Sequence, residues 1–242
     1  LAWAILTVTQ IILCYQFLSQ LESYLLVQSK LSTIENSPGI TDLVVSPLLG
    51  GAAIILLLIV PLLTMRLISE EQKNQTIILL FSAPISMSQI ILGKYLGVLG
   101  FLVVLLMMIV LMPLSLLMGT ELDLGQLAAA LLGLFLVLAS FTAAGLYMST
   151  LTKHPAIAAV SSFGLLFFLW IINWAGSSGI TNNHSAMQNQ HDITLAYFSV
   201  LNHFEPLLKG VFSRVDIIYY CLFISLFLIL SIRRLERLRL PH

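Results

Sequence analysis

Long, uninterrupted apolar stretches dominate the hydrophobic pattern of this chain. A helix needs about 20 apolar residues to cross the hydrocarbon core of a bilayer, and most of these stretches reach that length. They lack the alternation of apolar and polar residues that is typical of barrel strands. The pattern therefore predicts an all-α integral membrane protein, a bundle of six transmembrane helices in one domain. The predicted spans cover residues 1–21, 44–65, 95–119, 125–151, 156–174 and 216–232.

The connections between the predicted spans differ in character. Residues 22–42 are predicted as a polar loop. Residues 66–94 combine a charged turn, a short apolar stretch and Pro84, and either Ser86 or Ser88 is suited to cap the helix that enters the third span. Residues 175–215 begin as a polar loop and become apolar again from Ile193 onwards. This second part predicts an interfacial or re-entrant pair of short helices before the last span.

The composition excludes a soluble domain. Hydrophobic residues make up 59% of the 242 residues and charged residues only 9%, against about 25% charged in soluble domains. The formal net charge is zero, which argues against a nucleic-acid partner. Cys14 and Cys221 both lie inside apolar runs, so they are interpreted as small core residues and not as a disulfide framework.

The net charge of zero conceals an asymmetry between the two sides of the predicted bundle. Eight of the eleven basic residues fall on the side of the termini: Arg66, Lys73, Lys94, Lys153, Arg233, Arg234, Arg237 and Arg239. Eight of the eleven acidic residues fall on the other side: Glu22, Glu35, Asp42, Glu121, Asp123, Asp192, Glu205 and Asp216. The positive-inside rule therefore predicts that both termini are cytoplasmic. The basic cluster near the C-terminus is interpreted as an anchor that contacts membrane lipids.

The connection over residues 66–94 resembles the signature of the permease subunits of ABC-2-type exporters. The resemblance rests on Arg66, Glu70, Glu71, Thr76, Leu79, Leu80, Pro84, Ser86 and the pair Gly93-Lys94. It is closest to the subgroup of gliding-motility and nitrous-oxide-reductase-maturation permeases. Two positions depart from the family pattern, because Gln75 stands where the family often has Gly and Ile78 where it often has Glu.

The resemblance implies a function for this connection and a set of partners. It implies a coupling element that fits a cleft on an ATPase subunit, formed here by Arg66, Glu70, Glu71, Thr76, Leu79, Leu80, Pro84, Ser86 and Ser88. The implied partners are two cytoplasmic ATPase subunits, a second identical or homologous permease and an external auxiliary protein, in a bacterial inner membrane. ATP and Mg²⁺ are expected on the ATPase, and this chain is expected to carry no cofactor. An amphipathic helix that precedes the first span in the family is expected to be missing here.

Small and polar residues outside this connection form two further candidate groups. Gly93 and Gly97 in the third span, and Ala139 and Ala143 in the fourth, have the spacing that lets helix backbones approach closely. Before the last span, the residues that look like the family's own segment or carry charge are His203, Glu205, Gly210 and Asp216. Glu205 and Asp216 are expected to pair with Lys209 or Arg214. The histidines of this connection lack the spacing of a metal site.

Two other function classes compete with an exporter permease. A self-sufficient secondary transporter or channel predicts titratable residues within the spans and an internal repeat, and neither is seen in the sequence. An intramembrane enzyme requires converging polar side chains at depth, and no nucleotide-binding or hydrolase motif occurs. The chain is therefore predicted to be a non-catalytic subunit.

Overall fold

A computed structural model describes residues 2–31, 39–77, 86–116, 122–179, 200 and 202–239. Within these ranges the chain is helical apart from turns and short connections, and it contains no strand. The long helices are α1 (Ala2–Leu31), α2 (Ser46–Thr64), α4 (Met87–Ser115), α5 (Leu124–Leu151), α6 (Pro155–Gly179) and α8 (Arg214–Arg239). The short helices are α3 (Ser69–Lys73) and α7 (Phe204–Leu208), and a π-helical turn, Thr41–Val45, leads into α2.

Five of these helices, in the part of the chain that the structure describes, are long and apolar enough to cross a membrane. They lie within residues 3–26, 41–73, 87–115, 124–151 and 214–238. The sixth, α6, has an apolar stretch over Pro155–Ile171, which is shorter than the usual span. The structure thus supports an all-helical, multi-pass membrane protein. The count of six spans stays a prediction.

Helix α5 is the centre of the bundle. It contacts α2, α4, α6, α7 and α8. Of its most apolar 18 residues 72% are buried, against 17% of those of α8. Its inner positions are small or apolar, including Gly133, Ala139, Ala143 and Gly145. Because small side chains let several helices approach one backbone, α5 can serve as the common packing surface. Large apolar residues on the outer helices instead face outwards, as expected for a chain surrounded by lipid.

The helix boundaries correct several of the predictions. Helix α1 continues to Leu31, so residues 22–31 are helical where a polar loop was predicted. Nothing in that stretch breaks a helix, since the first Pro and Gly of the chain, Pro38 and Gly39, come after it. Helix α6 continues to Gly179, past the predicted start of the loop at residue 175. Helix α8 is longer than its uncharged run of residues, because charged residues extend both of its ends.

Capping side chains fix the starts of two central helices. Ser86 caps α4: its Oγ accepts a hydrogen bond from the Gln89 backbone N–H, and the Gln89 side chain accepts one from the Ser86 N–H. This confirms one of the two predicted caps. Asp123 caps α5 by accepting hydrogen bonds from the backbone N–H groups of Gly125 and Gln126.

The charged residues separate to the two ends of the bundle. One end, called the basic end below, carries the turn 65–68, α3, the connection between α5 and α6, and the last turns of α8. The opposite end, called the acidic end, carries the π-helical turn, the start of α5, α7 and the start of α8. Among the described residues, the fold therefore brings together the charges that the order of spans predicted on each side, whereas Glu35, Glu121 and Asp192 lie outside that part of the chain.

Candidate functional site

The turn and short helix that follow α2 are fastened to the end of α5 by one hydroxyl group. Oγ of Ser149 accepts hydrogen bonds from the backbone N–H groups of Ile68 and Ser69, both at 3.1 Å. The same hydroxyl donates to the carbonyl of Met65 at 3.1 Å. Nε2 of Gln72 donates to the carbonyl of Thr150 at 3.1 Å. The three contacts of Ser149 fix the main chain over residues 65–69, and the Gln72 side chain adds a further contact to α5.

A salt bridge fastens the same segment to α4. Nζ of Lys94 lies 2.6 Å from Oε1 of Glu71, and it also donates a hydrogen bond to the carbonyl of Leu67. Oε2 of Glu71 is buried and has no hydrogen-bond partner among the described residues. Glu71 and Lys94 were both part of the resemblance to the ABC-2 permeases. The structure places them in contact, which the sequence separation of 23 residues did not suggest.

The turn after α3 adopts a strained backbone at the position where the family often has glycine. Gln75 has a φ of +58°, in the left-handed region that favours glycine. The next residue, Thr76, closes the turn, because its Oγ1 donates to the carbonyl of Glu71 at 3.4 Å. The chain therefore keeps a glycine-type turn geometry despite carrying Gln there. The predicted coupling residues Leu79, Leu80 and Pro84, together with Ile78, lie outside the described residues.

The face of this segment that points away from the bundle is charged and open. Arg66, Glu70 and Lys73 are exposed, and among the described residues none of them forms an ion pair. They line a cleft of about 430 Å³ that is completed by the connection between α5 and α6. The lining residues are Met65, Arg66, Glu70, Lys73, Asn74, His154, Pro155 and Ala156. At the start of α4, the hydroxyls of Ser86 and Ser88 lie 3.0 Å apart.

Of the predicted packing residues, the alanines are buried between helices, whereas the two glycines face no other helix among the described residues. Ala139 and Ala143 are buried, and the Tyr95 hydroxyl donates to the carbonyl of Ala139 at 3.2 Å. A Cβ built on Gly93 or Gly97 would meet no described atom within 4 Å. A packing role for these two glycines is therefore left to another chain, and it stays a prediction.

The close helix contacts occur at other glycines. A Cβ on Gly145 would lie 2.3 Å from Oγ1 of Thr64, and one on Gly133 would lie 2.9 Å from Cβ of Leu207. Gly145 thus lets α2 touch α5, and Gly133 lets α7 touch α5. Sequence spacing alone did not distinguish these glycines from Gly93 and Gly97, because all of them lie in apolar helices.

At the acidic end, a buried contact between a histidine and a carboxylate joins the segment before α7 to the start of α8. Nδ1 of His203 lies 2.6 Å from Oδ1 of Asp216, and both side chains are less than a tenth exposed. Oδ2 of Asp216 is buried without a hydrogen-bond partner among the described residues. The ring of Tyr219 stacks on that of His203 with centroids 4.3 Å apart. The predicted pairing of Asp216 with Lys209 or Arg214 is therefore wrong, because the fold turns Asp216 inwards toward His203.

A second set of polar contacts holds the end of α7, and sequence reasoning missed its central residue. Nε2 of Gln126 donates to Oδ1 of Asp42 at 2.6 Å and to the carbonyl of Leu208 at 3.0 Å. Oγ of Ser46 donates to the same carbonyl at 3.1 Å. Gly210 follows with a φ of +76° and packs against Gln126, whereas Glu205 is exposed. The only sequence signal for Gln126 was an amide side chain at the start of an apolar helix.

Only one of the two predicted short helices of this segment falls within the described residues. Helix α7 covers Phe204–Leu208, with Phe204 and Leu207 buried. Residues 193–199 lie outside the part that the structure describes. Among the described residues, no group of three or more His, Cys, Asp or Glu side chains is arranged to hold a metal ion.

Comparison with known proteins bears on the whole bundle. The family model described as "ABC-2 family transporter protein" matches residues 2–239. No curated protein matches the chain. The match extends through all the helices and both ends described above, and it agrees with the resemblance of the 66–94 connection to the ABC-2 permeases. The chain therefore belongs to the ABC-2 family of transporter proteins.

Proposed function

We propose that this chain is the permease subunit of an ATP-driven ABC-2 exporter in a bacterial inner membrane, with six spans and cytoplasmic termini. Two cytoplasmic ATPase subunits bind and hydrolyse ATP with Mg²⁺, and two permease chains, identical or homologous, form the path between them. Membership of the ABC-2 family supports the assignment as a transporter permease. The resemblance to the gliding-motility and nitrous-oxide-reductase-maturation subgroup belongs to this proposal as well.

The observation that carries a coupling role is the two-sided character of residues 65–77. The side toward the bundle is fixed to α5 through Ser149 and to α4 through Lys94. The opposite side presents Arg66, Glu70 and Lys73 without ion-pair partners among the described residues. A partner that moves the exposed side therefore moves α4 and α5 with it, because packed helices transmit displacements as units.

The acidic end has a complementary role in this proposal. It faces the outside, where α7 is wedged against α5 at Gly133 and is held by Gln126, Ser46 and the segment's own His203. We propose that α7 changes position when the bundle changes access, and that its exposed Glu205 side faces the transport path or an external auxiliary protein.

The proposal is tested by purification of the chain from native membranes in a mild detergent. We expect an ATPase to co-purify with the wild-type chain and to hydrolyse ATP in the purified complex. Glu70→Lys reverses an exposed charge on the proposed docking side, and Glu205→Lys makes the same change at the opposite end. Glu70→Lys is expected to lower both ATPase association and coupled turnover, whereas Glu205→Lys leaves the association unchanged.

Two results contradict the proposal at different levels. If no ATPase accompanies the wild-type chain, the assignment as a subunit of an ATP-driven exporter fails. If an ATPase does accompany it but Glu70→Lys and Glu205→Lys behave alike, the exporter assignment stands and the coupling role of residues 65–77 fails.

A further inference from the structure

Two cavities of opposite character lie one above the other along the seam between α2 and α6. The first is the charged cleft at the basic end, whose walls include Met65 on one side and Ala156 on the other. The second is an apolar groove of about 260 Å³, lined by Leu58, Pro61, Leu62, Ala159, Val160 and Phe163. On α2, the groove residues Pro61 and Leu62 come four and three residues before the cleft residue Met65. On α6, the groove residues Ala159 and Val160 come three and four residues after the cleft residue Ala156. They therefore occupy the same helix face, about 6 Å farther along the axis.

A third cavity extends the apolar surface on the other side of α2. It has a volume of about 720 Å³ and is lined by residues of α1 and α2, among which Thr9 is the one polar side chain. Leu58 and Leu62 line both apolar grooves and form a ridge between them. The two apolar grooves thus lie on either side of one ridge of α2, and Leu62 of that ridge stands three residues before the cleft residue Met65.

The charges of the cleft favour a phosphate group. Arg66 and Lys73 supply two cations against the single carboxylate of Glu70. The exposed Lys153 precedes the cleft residue His154 and adds to the positive charge. The planar guanidinium of arginine binds phosphate oxygens with two parallel hydrogen bonds, and lysine adds a point charge. Glu70 and Asn74 are then free to bind the hydroxyl or ammonium group that a phosphate diester carries.

The apolar grooves are too open to be filled by this chain alone. Val160 is 72% exposed and Leu58 is 54% exposed. An acyl chain that fills such a groove gains dispersion contacts with side chains of two helices, which a chain lying on one helix face does not make. A molecule with a phosphate head and two apolar chains matches the cleft, the ridge and the two grooves together.

We propose that the seam between α2 and α6 binds one glycerophospholipid of the surrounding bilayer. Its phosphate lies in the cleft between Arg66, Lys73 and His154, and its two acyl chains lie on either side of the Leu58–Leu62 ridge. The site holds the connection between α5 and α6 against the end of α2 through the bound lipid. This inference does not depend on the ATPase partner.

The test measures lipid binding to the purified, delipidated full chain by native mass spectrometry. The probes are phosphatidylglycerol and diacylglycerol, which share their acyl chains and differ in the phosphate head. Phosphatidylglycerol is expected to bind at least about tenfold more tightly than diacylglycerol, since only the former has a charge-assisted contact with arginine. The combined variant Arg66→Gln/Lys73→Gln is expected to abolish most of that difference.

Matched controls separate a specific site from general lipid contact. Lys209→Gln/Arg214→Gln removes two exposed cations from the opposite end of the bundle and is expected to leave the preference intact. Val160→Trp fills the groove and is expected to lower phosphatidylglycerol binding roughly tenfold. Ile229→Trp, at a residue of α8 that is 52% exposed, is expected to have no effect.

Several outcomes overturn the inference. It fails if the two probes bind equally. It also fails if Arg66→Gln/Lys73→Gln and the control double variant bind phosphatidylglycerol alike. It also fails if Arg66→Gln/Lys73→Gln loses an ATPase partner but keeps its lipid preference, because the cleft then serves a protein. Phosphate-dependent binding in a wild-type chain that recruits no ATPase supports the lipid site and contradicts the proposed function, so the two failures are distinguishable.

Discussion

Nζ of Lys94 lies 2.6 Å from Oε1 of Glu71, and this ion pair joins the short helix α3 to the first turns of α4. The side chains are 20% and 31% exposed, so water screens the pair only in part. Lys94 also donates to the carbonyl of Leu67 and thereby bonds with both the turn and the helix that follows it. Lys94 thus connects the charged segment at the basic end directly to α4.

Removal of either partner of this pair is expected to destabilise the segment. Lys94→Gln leaves Glu71 with a second unsatisfied oxygen, and Glu71→Gln weakens the contact to Lys94, so each is expected to cost about 1–2 kcal/mol. A double-mutant cycle, read by thermal unfolding in detergent, should give a coupling energy of at least about 0.5 kcal/mol. Lys73→Gln, at an exposed lysine of the same segment, is the control. Additive effects of Glu71→Gln and Lys94→Gln would show that the contact contributes nothing.

Ser149→Ala is expected to be among the most harmful single-atom changes in the basic end. It deprives the backbone N–H groups of Ile68 and Ser69 of their acceptor, in a place that water does not reach. Each unsatisfied group costs about 1–3 kcal/mol. The measurement is the midpoint of thermal unfolding, with Ser225→Ala on the exposed face of α8 as the control. Equal midpoints for the two variants would mean that the turn finds other acceptors.

Gln75→Gly is expected to stabilise the protein by roughly 0.5–1 kcal/mol. The wild-type residue has a φ of +58°, where glycine avoids the steric cost that a side chain imposes. Asn74→Gly is the control, because Asn74 has a φ of −84° and gains nothing from the freedom of glycine. A lower unfolding midpoint for Gln75→Gly than for Asn74→Gly would contradict the left-handed geometry of this turn.

Two glycine-to-alanine changes are expected to have opposite effects. Gly145→Ala places a Cβ 2.3 Å from Oγ1 of Thr64 and is expected to cost about 1–3 kcal/mol. Gly97→Ala meets no described atom within 4 Å, so the better helix propensity of alanine should slightly stabilise the chain. If Gly97 packs against a second permease, Gly97→Ala will weaken the dimer in a crosslinking or size measurement without lowering the stability of the chain.

The buried pair at the acidic end should tolerate the loss of one partner poorly. Asp216→Asn removes the carboxylate and His203→Gln removes the imidazole, so each weakens the 2.6 Å contact, and a cost of about 1–3 kcal/mol is expected. Glu205→Gln, two residues away from His203 and exposed, should be nearly neutral. Thermal unfolding and protease sensitivity of the segment before α8 measure the effect. If His203→Gln and Glu205→Gln were equivalent, the pair would not hold this segment.

Parts of the candidate site followed from local sequence. Either Ser86 or Ser88 is predicted as the cap, because a hydroxyl before an apolar run satisfies the free N–H groups of a helix start, and the structure has Ser86 in that role. The departure at Gln75 follows from the resemblance to the ABC-2 permeases, which often have glycine there, and not from local sequence. The partners of Glu71, Asp216 and Ser149 were not foreseen, since each lies on a different helix and long-range pairs leave no periodic signal.

The sequence by itself determined the helical, membrane-embedded character of the protein, the places of its long apolar helices along the chain and the separation of charges. These properties depend on the length of apolar runs and on their order, which are local quantities. Only the tertiary structure decided which glycines allow helices to touch, which carboxylates are paired, and which helix lies at the centre. Those outcomes depend on the relative rotation and distance of whole helices, and apolar faces of similar composition do not specify them individually.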